Sequence, residues 1–166
     1  MKGKNFPNID FSKLTLPPAE LKIVRRNDVF KVFDPIRKNY YCLTDEEFVR
    51  QIFVHWLVNE LGYPPSLIAN EIGIRLNDVY KRCDTVVFDP GGKPKVIIEY
   101  KAPGVWLNQD VFNQIVSYNM ALQADYLVVS NGYENYYCRV DYLNHKIEQL
   151  QYMPSYKELQ GDHDND

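Results

Sequence analysis

The feature that most restricts the fold of this chain is a pair of β-strand patterns joined by a tight turn. The apolar runs at residues 84–88 and 95–101 flank the segment 89–93, whose sequence is Asp-Pro-Gly-Gly-Lys. Glycine readily adopts the positive φ angles that a tight reversal requires, so the two runs are predicted to pair as an antiparallel hairpin. Any fold assigned to the chain must accommodate this hairpin.

Two helices are predicted, one on each side of the hairpin in sequence. Thr44 and Glu47 form a T-x-x-E capping box, apolar residues follow at spacings of three and four, and Gly62 and Pro64 end the pattern. Residues 108–124 carry a second apolar stripe at helical spacing. Each helix is therefore expected to bury one face against a sheet.

Strand patterns occupy most of the remaining chain. They lie at residues 29–34, 40–43, 66–76, 126–130 and 136–140, with an edge strand at 145–152. In the run 66–76, the apolar positions Ile68, Ile72, Ile74 and Leu76 are predicted to face a core, and Glu71, Gly73 and Arg75 to face the other way. This order of elements predicts an α/β or α+β fold, a mixed sheet with a central antiparallel hairpin flanked by helices.

Length and composition indicate one globular domain. The chain has 166 residues, 45% apolar and 25% charged, which are ordinary values for a folded domain. We expect an irregular arm over residues 1–24, the domain over 25–155 and an acidic flexible tail over 156–166. The apolar runs are too short to span a membrane and none follows the N-terminus as a signal core, so a cytoplasmic location is expected. Three cysteines without metal-ligand spacing predict neither disulfides nor a zinc site.

The charge balance restricts the kind of partner. The net charge is −3, and three of the 22 acidic residues lie in residues 162–166, so the first 161 residues carry equal numbers of acidic and basic side chains. A protein that grips nucleic acid by charge alone needs an excess of Lys and Arg. A nuclease is still compatible with this balance, because a metal ion offsets its acidic site.

Ionisable residues end the second strand of the hairpin. Glu99 and Lys101 are two residues apart, so both side chains leave the same face of a strand, and Asp84 lies on the neighbouring strand. Two carboxylates can hold Mg²⁺, and a lysine beside them can orient or help deprotonate a water that attacks phosphorus. Glu71 could complete the metal shell. Gln114 and Tyr118, four residues apart on the second helix, share a face that could reach the site.

Ordinary structural explanations compete with this interpretation. Alone, Glu99 and Lys101 would more often be an ion pair at a strand end. Glu71 can be a solvated strand residue, and the two explanations of it are nearly balanced. Glu47 is explained by the capping box, in which its side chain reaches back to the Thr44 backbone.

The spacing of these residues resembles a known nuclease signature. Asp84, fourteen intervening residues and Glu99-Tyr100-Lys101 match the D…(D/E)xK pattern of the PD-(D/E)xK nuclease superfamily, and residues 114–118 resemble the QxxxY extension of its RecB-like branch. The segments 81–88, 98–103 and 126–132 resemble the N-terminal nuclease domain of type I restriction endonuclease R (motor) subunits. The resemblance covers about residues 25–155.

This resemblance implies a restriction-endonuclease-like core that cleaves DNA phosphodiester bonds with Mg²⁺, for which Mn²⁺ could substitute. It implies that Asp84 and Glu99 bind the metal with Glu71, that Lys101 positions the water, and that Gln114 and Tyr118 support the site. Cys83 stands where the superfamily name has proline. The P-loop of an ATPase motor does not occur, so motor or specificity subunits are expected on separate chains.

Several alternatives stay open at this point. The chain could be a non-catalytic nucleic-acid-binding or assembly module on the same fold, or a phosphodiesterase acting on RNA or small nucleotides. The candidate phosphate contacts are Arg75, Lys81 and Arg82, although short basic stretches also occur on any solvated surface. Cutting both strands with one site per chain requires a homodimer or two successive events.

Overall fold

The computed structural model describes residues 5–161 of the chain. Within that range the β-strands are β1 (Ile23–Arg26), β2 (Val29–Asp34), β3 (Asn39–Cys42), β4 (Ile68–Leu76), β5 (Val79–Phe88), β6 (Pro94–Tyr100), β7 (Tyr126–Ser130), β8 (Asn135–Asp141) and β9 (Lys146–Leu150). The α-helices are α1 (Asp45–Asn59), α2 (Gln109–Leu122) and α3 (Tyr156–Gly161), and short 3-10 helices cover Phe11–Lys13 and Pro65–Leu67.

The strands form two sheets. Strands β1, β2 and β3 make an antiparallel sheet, and β4 to β9 make a six-stranded sheet in chain order. In the larger sheet β6 and β7 are parallel, connected through α2, and the other neighbours are antiparallel. This architecture confirms the predicted mixed sheet with a central hairpin, and Gly92 supplies the positive φ of 86° in the β5–β6 turn.

Each face of the larger sheet carries its own apolar core. On one face α1 packs through Phe53 against Val87 and Ile98, and on the other α2 packs through Ile115 against Val86 and Ile97. Each of these side chains is at most 1% exposed, and fully burying a residue of this size stabilises a fold by about 1.5–3 kcal/mol. Successive side chains of β5 and β6 thus point alternately into the two cores. These contacts hold one helix on each face of the sheet.

The capping box at the start of α1 is only half formed. The hydroxyl of Thr44 accepts a hydrogen bond from the Glu47 backbone N–H at 3.0 Å, as predicted. The Glu47 carboxylate does not return to the Thr44 backbone; it pairs with the guanidinium groups of Arg37 and Arg50. Two charged donors compete more strongly for a buried carboxylate than one backbone N–H, so the capping explanation of this side chain is wrong.

Strand β4 changes faces in its middle. Ile68 packs in the core on the α1 face, whereas Ile72 and Ile74 pack on the α2 face, so the prediction that they share one face is wrong. The reason is Glu71, whose φ is 59°. Regular pairing with β5 passes from Asn70↔Thr85 to Ile72↔Cys83, which leaves Glu71 and Asp84 between the paired positions. A single left-handed residue reverses the alternation of the strand.

Both ends of the described chain differ from the prediction. Strand β1 begins at Ile23, inside the segment assigned to an irregular arm. Helix α3 covers residues 156–161 of the segment assigned to a flexible tail, and its Leu159 is buried in the α1-side core. A six-residue helix with few apolar residues is too short to produce a recognisable periodicity. Residues 1–4 and 162–166 lie outside the described residues.

No helix between residues 5 and 161 combines the length and the apolar character needed to cross a membrane.

Candidate active site

Asp84 lies where β5 separates from β6. Regular pairing of the two strands stops at Thr85↔Ile98. Beyond that pair, the Asp84 carboxylate takes the place of a backbone acceptor, because the Tyr100 N–H donates to its Oδ2 at 2.8 Å. Burial raises the pKa of Asp84, while this hydrogen bond and the Arg50 charge oppose the rise. The carboxylate is held rigidly at the opening between the strands.

Glu99 is the carboxylate with unused hydrogen-bonding capacity. Its residue is 4% exposed, and its buried Oε2 has no hydrogen-bond partner among the described residues. Burial, followed by the negative charge of Asp84, raises the pKa of Glu99 to about 8. Leaving a buried carboxylate oxygen unpaired is costly, so this atom is a candidate to bind a ligand.

Lys101 approaches the same carboxylate from the loop that follows β6. Its Nζ lies 3.9 Å from Glu99 Oε1 and 3.5 Å from Gln114 Oε1. Its backbone N–H donates to the Ser130 carbonyl at 2.9 Å, which anchors the residue to the end of β7. The side chain is 26% exposed, so the ammonium can reach both the carboxylate and solvent.

Gln114 and Tyr118 extend this group across α2. The Gln114 side-chain amide donates from Nε2 to Tyr118 Oη at 2.7 Å, while its Oε1 faces Lys101. Asn108 caps α2 by accepting from the backbone N–H groups of Asp110 and Val111, which fixes where the helix begins. The structure therefore brings Gln114, Tyr118, Lys101 and Glu99 into one connected group.

Glu71 lies at the site, but cations occupy both of its oxygens. Its Oε1 pairs with Arg50, and its Oε2 accepts from Arg82 at 3.1 Å. The left-handed conformation of Glu71 costs about 1–2 kcal/mol, and these ion pairs hold the residue in it. The metal-ligand role predicted for Glu71 stays a prediction.

Arg50 was missed in the sequence analysis. It is 3% exposed, and its guanidinium contacts the carboxylates of Glu47, Glu71 and Asp84, the last at 3.2 Å. Burial works to lower the pKa of Arg50, but the charges of Glu47 and Asp84 outweigh it and raise this pKa. An arginine on the otherwise apolar, buried stretch of α1 was the available signal.

Glu46 is a second residue that the sequence analysis did not single out. It is half-buried in the first turn of α1, one turn before Arg50. Burial, followed by the charge of Asp84, raises the pKa of Glu46. Three consecutive acids begin α1, which is typical of any helix N-terminus, so the sequence alone did not distinguish this one.

The candidate phosphate contacts lie along β4 and β5. Arg75 is exposed. Lys81 is held against α2, because its Nζ donates to Ser117 Oγ at 3.0 Å and lies 5.6 Å from the centre of the Tyr118 ring. The Arg82 side chain is 61% exposed while it pairs with Glu71. Arg82 therefore contacts the site through Glu71, whereas Lys81 is held on α2 and Arg75 lies exposed further along β4.

The donor set is suited to a hard divalent cation. Asp84 and Glu99 supply carboxylate oxygens, and the unpaired Glu99 Oε2 offers a free position. Within residues 5–161 no three His, Cys, Asp or Glu side chains form a preassembled metal-binding cluster. Mg²⁺ commonly binds through one or two carboxylates and keeps several waters, so two acidic ligands are sufficient.

Comparisons with known proteins identify the family and the fold of this chain. Residues 45–154 match the family described as the type I restriction enzyme R protein N terminus. The fold is similar to the fragment structure of an HsdR subunit assigned to a type I restriction enzyme of Vibrio vulnificus YJ016, with a TM-score of 0.51 and 18% sequence identity. The similarity covers 70% of this chain but only 24% of that one, so the present chain spans about a quarter of its length. A search of curated proteins found no match.

Proposed function

Because the chain belongs to the family of type I restriction enzyme R protein N termini, we propose that it is a metal-dependent DNA endonuclease domain. Membership makes it a module related to restriction nucleases. The observation that carries the finer proposal is the unpaired, buried Glu99 Oε2 beside Asp84 and Lys101. An acid with an unused oxygen, a second acid and a cation are the groups that phosphodiester hydrolysis requires.

Asp84 and Glu99 would hold the cation, with Mg²⁺ as the natural ion and Mn²⁺ as a substitute. A cation bound there would supply Lewis-acid stabilisation of the charge that develops on the phosphate oxygens. Tyr100 keeps Asp84 oriented by donating its backbone N–H to Oδ2. Glu99 must lose its proton before it can bind metal, since its raised pKa favours the protonated form at neutral pH.

Lys101 would position and help to activate the attacking water. Its ammonium can reach a water near Glu99 because Gln114 and the Ser130 carbonyl hold the residue in place. Tyr118 accepts a hydrogen bond from Gln114 and so fixes the amide that faces the lysine. Gln114 and Tyr118 thus act on the reaction by positioning Lys101.

Two further acids border the proposed ligands. Glu71 is retained as a predicted third ligand; to bind a metal, at least one of its oxygens would have to leave an arginine. Glu46 is close enough for its charge to raise the pKa of Glu99, which makes it another candidate ligand.

DNA is the proposed substrate, and Arg75, Lys81 and Arg82 are proposed to contact its phosphates. Type I restriction enzymes act with several subunits, so we propose motor or specificity subunits on separate chains as partners. We also propose a cytoplasmic location, and a homodimer as one way to cut both strands.

The equal numbers of acidic and basic residues in the first 161 positions favour one alternative. A chain without a basic excess binds DNA weakly by itself, which suits a non-catalytic assembly module. Such a module would contact DNA or protein partners with an affinity that Glu99→Gln does not change.

The decisive experiment combines calorimetric titration with Mg²⁺ or Mn²⁺ and a plasmid-nicking assay on the same samples. We expect the wild-type chain to bind metal and nick DNA, and Glu99→Gln to lose both while remaining folded by circular dichroism. Glu134→Gln, on the β7–β8 connection, serves as the matched control. A folded wild-type chain that neither binds metal nor nicks DNA would contradict the endonuclease and favour the assembly module.

A further inference from the structure

The carboxylates around the opening between β5 and β6 fall into two groups. Glu99 has an oxygen without a hydrogen-bond partner among the described residues. By contrast, Glu71 and Asp84 converge on one guanidinium, because Nη2 of Arg50 contacts both Glu71 Oε1 and Asp84 Oδ1. One cation that is part of the protein therefore already occupies the space between two of the acids.

A chain of further buried ion pairs fixes the position of this guanidinium. Nη1 of Arg50 pairs with Glu47 Oε2, and Oε1 of Glu47 pairs with Arg37, which in turn pairs with Asp34. Glu47 is 6% exposed and Asp34 is fully buried. An arginine held by such a chain of buried ion pairs cannot leave the site without breaking several of them.

In two-metal phosphodiesterase sites the cations lie about 3.5–4 Å apart, a separation that one carboxylate can bridge. Asp84 is the acid placed to bridge here, since it lies between Glu99 on β6 and Glu71 on β4. Its Oδ1 already contacts Arg50 at 3.2 Å, and its Oδ2 accepts from Tyr100. The guanidinium thus stands on the Glu71 side of Asp84, where a second metal ion would have to bind.

We propose that Arg50 is a built-in cation that replaces the second metal ion and limits the site to one divalent cation, on the Glu99 side of Asp84. This inference rests on the proposed metal-dependent function and deepens it. Arg50 neutralises Glu71 and Oδ1 of Asp84. Its positive charge repels a metal ion from the Glu71 side of Asp84. Arg50 is therefore a positioning residue, and Glu99 provides the position left for the metal.

The test counts Mn²⁺ ions bound to the full chain by calorimetry and by electron paramagnetic resonance. The wild-type chain is expected to bind one Mn²⁺ with the spectrum of an isolated ion. Arg50→Gln keeps hydrogen-bonding capacity but removes the charge, so it is expected to bind two Mn²⁺ ions whose spectra show coupling. Arg50→Lys restores a cation and is expected to return the count to one.

Arg139→Gln is the matched control, because it removes an exposed cation that pairs with Glu148 at the surface and lies outside the site. It is expected to leave the count at one, since solvent can screen the change. Circular dichroism and thermal unfolding establish that each variant is folded.

Different results separate the failure of this inference from the failure of the proposed function. A folded Arg50→Gln chain that binds one Mn²⁺ with wild-type affinity would overturn the inference and leave the endonuclease proposal intact. If Arg50→Gln does not fold, two Mn²⁺ ions on the wild-type chain would overturn it directly, and saturation at one would support it. A wild-type chain that binds no Mn²⁺ would contradict the proposed function. In that case, Mn²⁺ binding by Arg50→Gln would still support the inference about Arg50, and the absence of Mn²⁺ binding by Arg50→Gln would overturn that inference.

Discussion

The two sides of the opening between β5 and β6 treat negative charge in opposite ways. Toward α1, the acids Asp34, Glu47 and Glu71 pair with Arg37 and Arg50 in a continuous buried network. Toward α2, Glu99 faces a partly exposed Lys101 at 3.9 Å and keeps one oxygen unpaired. We call the α1 side compensated, because its acids are paired, and the α2 side uncompensated, because one oxygen of Glu99 has no partner among the described residues.

This difference has a physical basis in the cost of buried charge. A buried ion pair returns little net stability, yet breaking one leaves an expensive unpaired charge. On the α1 side, a substitution that removes one partner is therefore expected to be strongly destabilising. On the α2 side the burial cost of Glu99 appears as a raised pKa of about 8, which a bound cation would reverse.

The largest effect is expected on the uncompensated side, from Lys101→Met. Removing the ammonium should lower metal-dependent plasmid nicking by about 10²–10⁴-fold, the range for loss of a proton-transfer or water-positioning group. The free energy of unfolding should change by less than about 1 kcal/mol, since the Glu99–Lys101 contact is long and partly exposed. Nicking rates and urea unfolding measure the two effects.

Lys93→Met, in the β5–β6 turn, is the control for Lys101→Met, because the residue is exposed and lies at the turn end of the hairpin, away from Asp84 and Glu99. It should change neither quantity. Nicking by Lys101→Met at the wild-type rate would show that the α2 side is not the reactive one.

A different kind of effect is expected on the compensated side, from Glu47→Gln. This substitution leaves Arg37 and Arg50 without their shared carboxylate and should lower the free energy of unfolding by about 3–5 kcal/mol. Urea unfolding at neutral pH measures the change.

Glu148→Gln provides the comparison for Glu47→Gln. Glu148 also pairs with two cations, Arg139 and Lys146, but at the surface. Its replacement should lower the free energy of unfolding far less than Glu47→Gln does, because solvent screens a surface ion pair. Equal losses in the two variants would remove the distinction between a buried network and a surface pair.

A pH titration sharpens the comparison, because the uncompensated side holds a carboxyl, that of Glu99, that titrates near neutrality. Burial and the negative charges of Asp84 and Glu46 raise the pKa of Glu99 to about 8, although the positive charges of Lys101 and Arg50 oppose the rise. Metal binding must displace the proton, so Mg²⁺ affinity should rise about tenfold per pH unit up to pH 8 and then level off.

The sign of the stability effect follows from the same shift. The ordinary pKa of a glutamate is 4.5, and that of Glu99 in the native state is about 8. Between these two pH values, the metal-free native state keeps a proton on Glu99 that the unfolded chain has released. Stability should therefore fall as the pH rises through that window. Calorimetry in buffers of different ionisation enthalpy counts the proton released on metal binding, and a pH-independent affinity would contradict the assignment.

The sequence predicted the α2 side of the site better than the α1 side, for a physical reason. Strand spacing places Glu99 beside Lys101 and helix spacing places Gln114 beside Tyr118, and the family resemblance predicted that the two pairs form one site. Arg50 meets Glu71 and Asp84 only because α1 packs across the sheet, a contact between residues distant in sequence.

The same limit applies to the fold. Strands β2 to β9, α1 and α2 were predicted from periodicity, but the face change of β4 was not. In the sequence, Glu71 is only a polar residue in an alternating run. Its left-handed conformation could not be predicted, because ion pairs formed in the folded protein hold it there. Those same contacts make the α1 side rigid, so the unpredicted part of the fold and the unpredicted part of the site have one cause.

The smallest expected effect is on DNA binding and concerns Arg75, a cation that belongs to neither side of the opening between β5 and β6. Because Arg75 is exposed on β4, a phosphate can replace its hydration without breaking an internal contact. Arg75→Gln should weaken DNA binding modestly and reduce the slope of log affinity against log salt by about 0.9 for each lost phosphate contact.

Lys81→Gln should change this slope less than Arg75→Gln does, since the Lys81 amine already donates to Ser117 and lies over Tyr118. Fluorescence anisotropy with a DNA duplex at several salt concentrations measures both slopes. A larger slope change for Lys81 than for Arg75 would mean that DNA approaches along α2 and the open side of the site, rather than along the outer part of the β4–β5 hairpin.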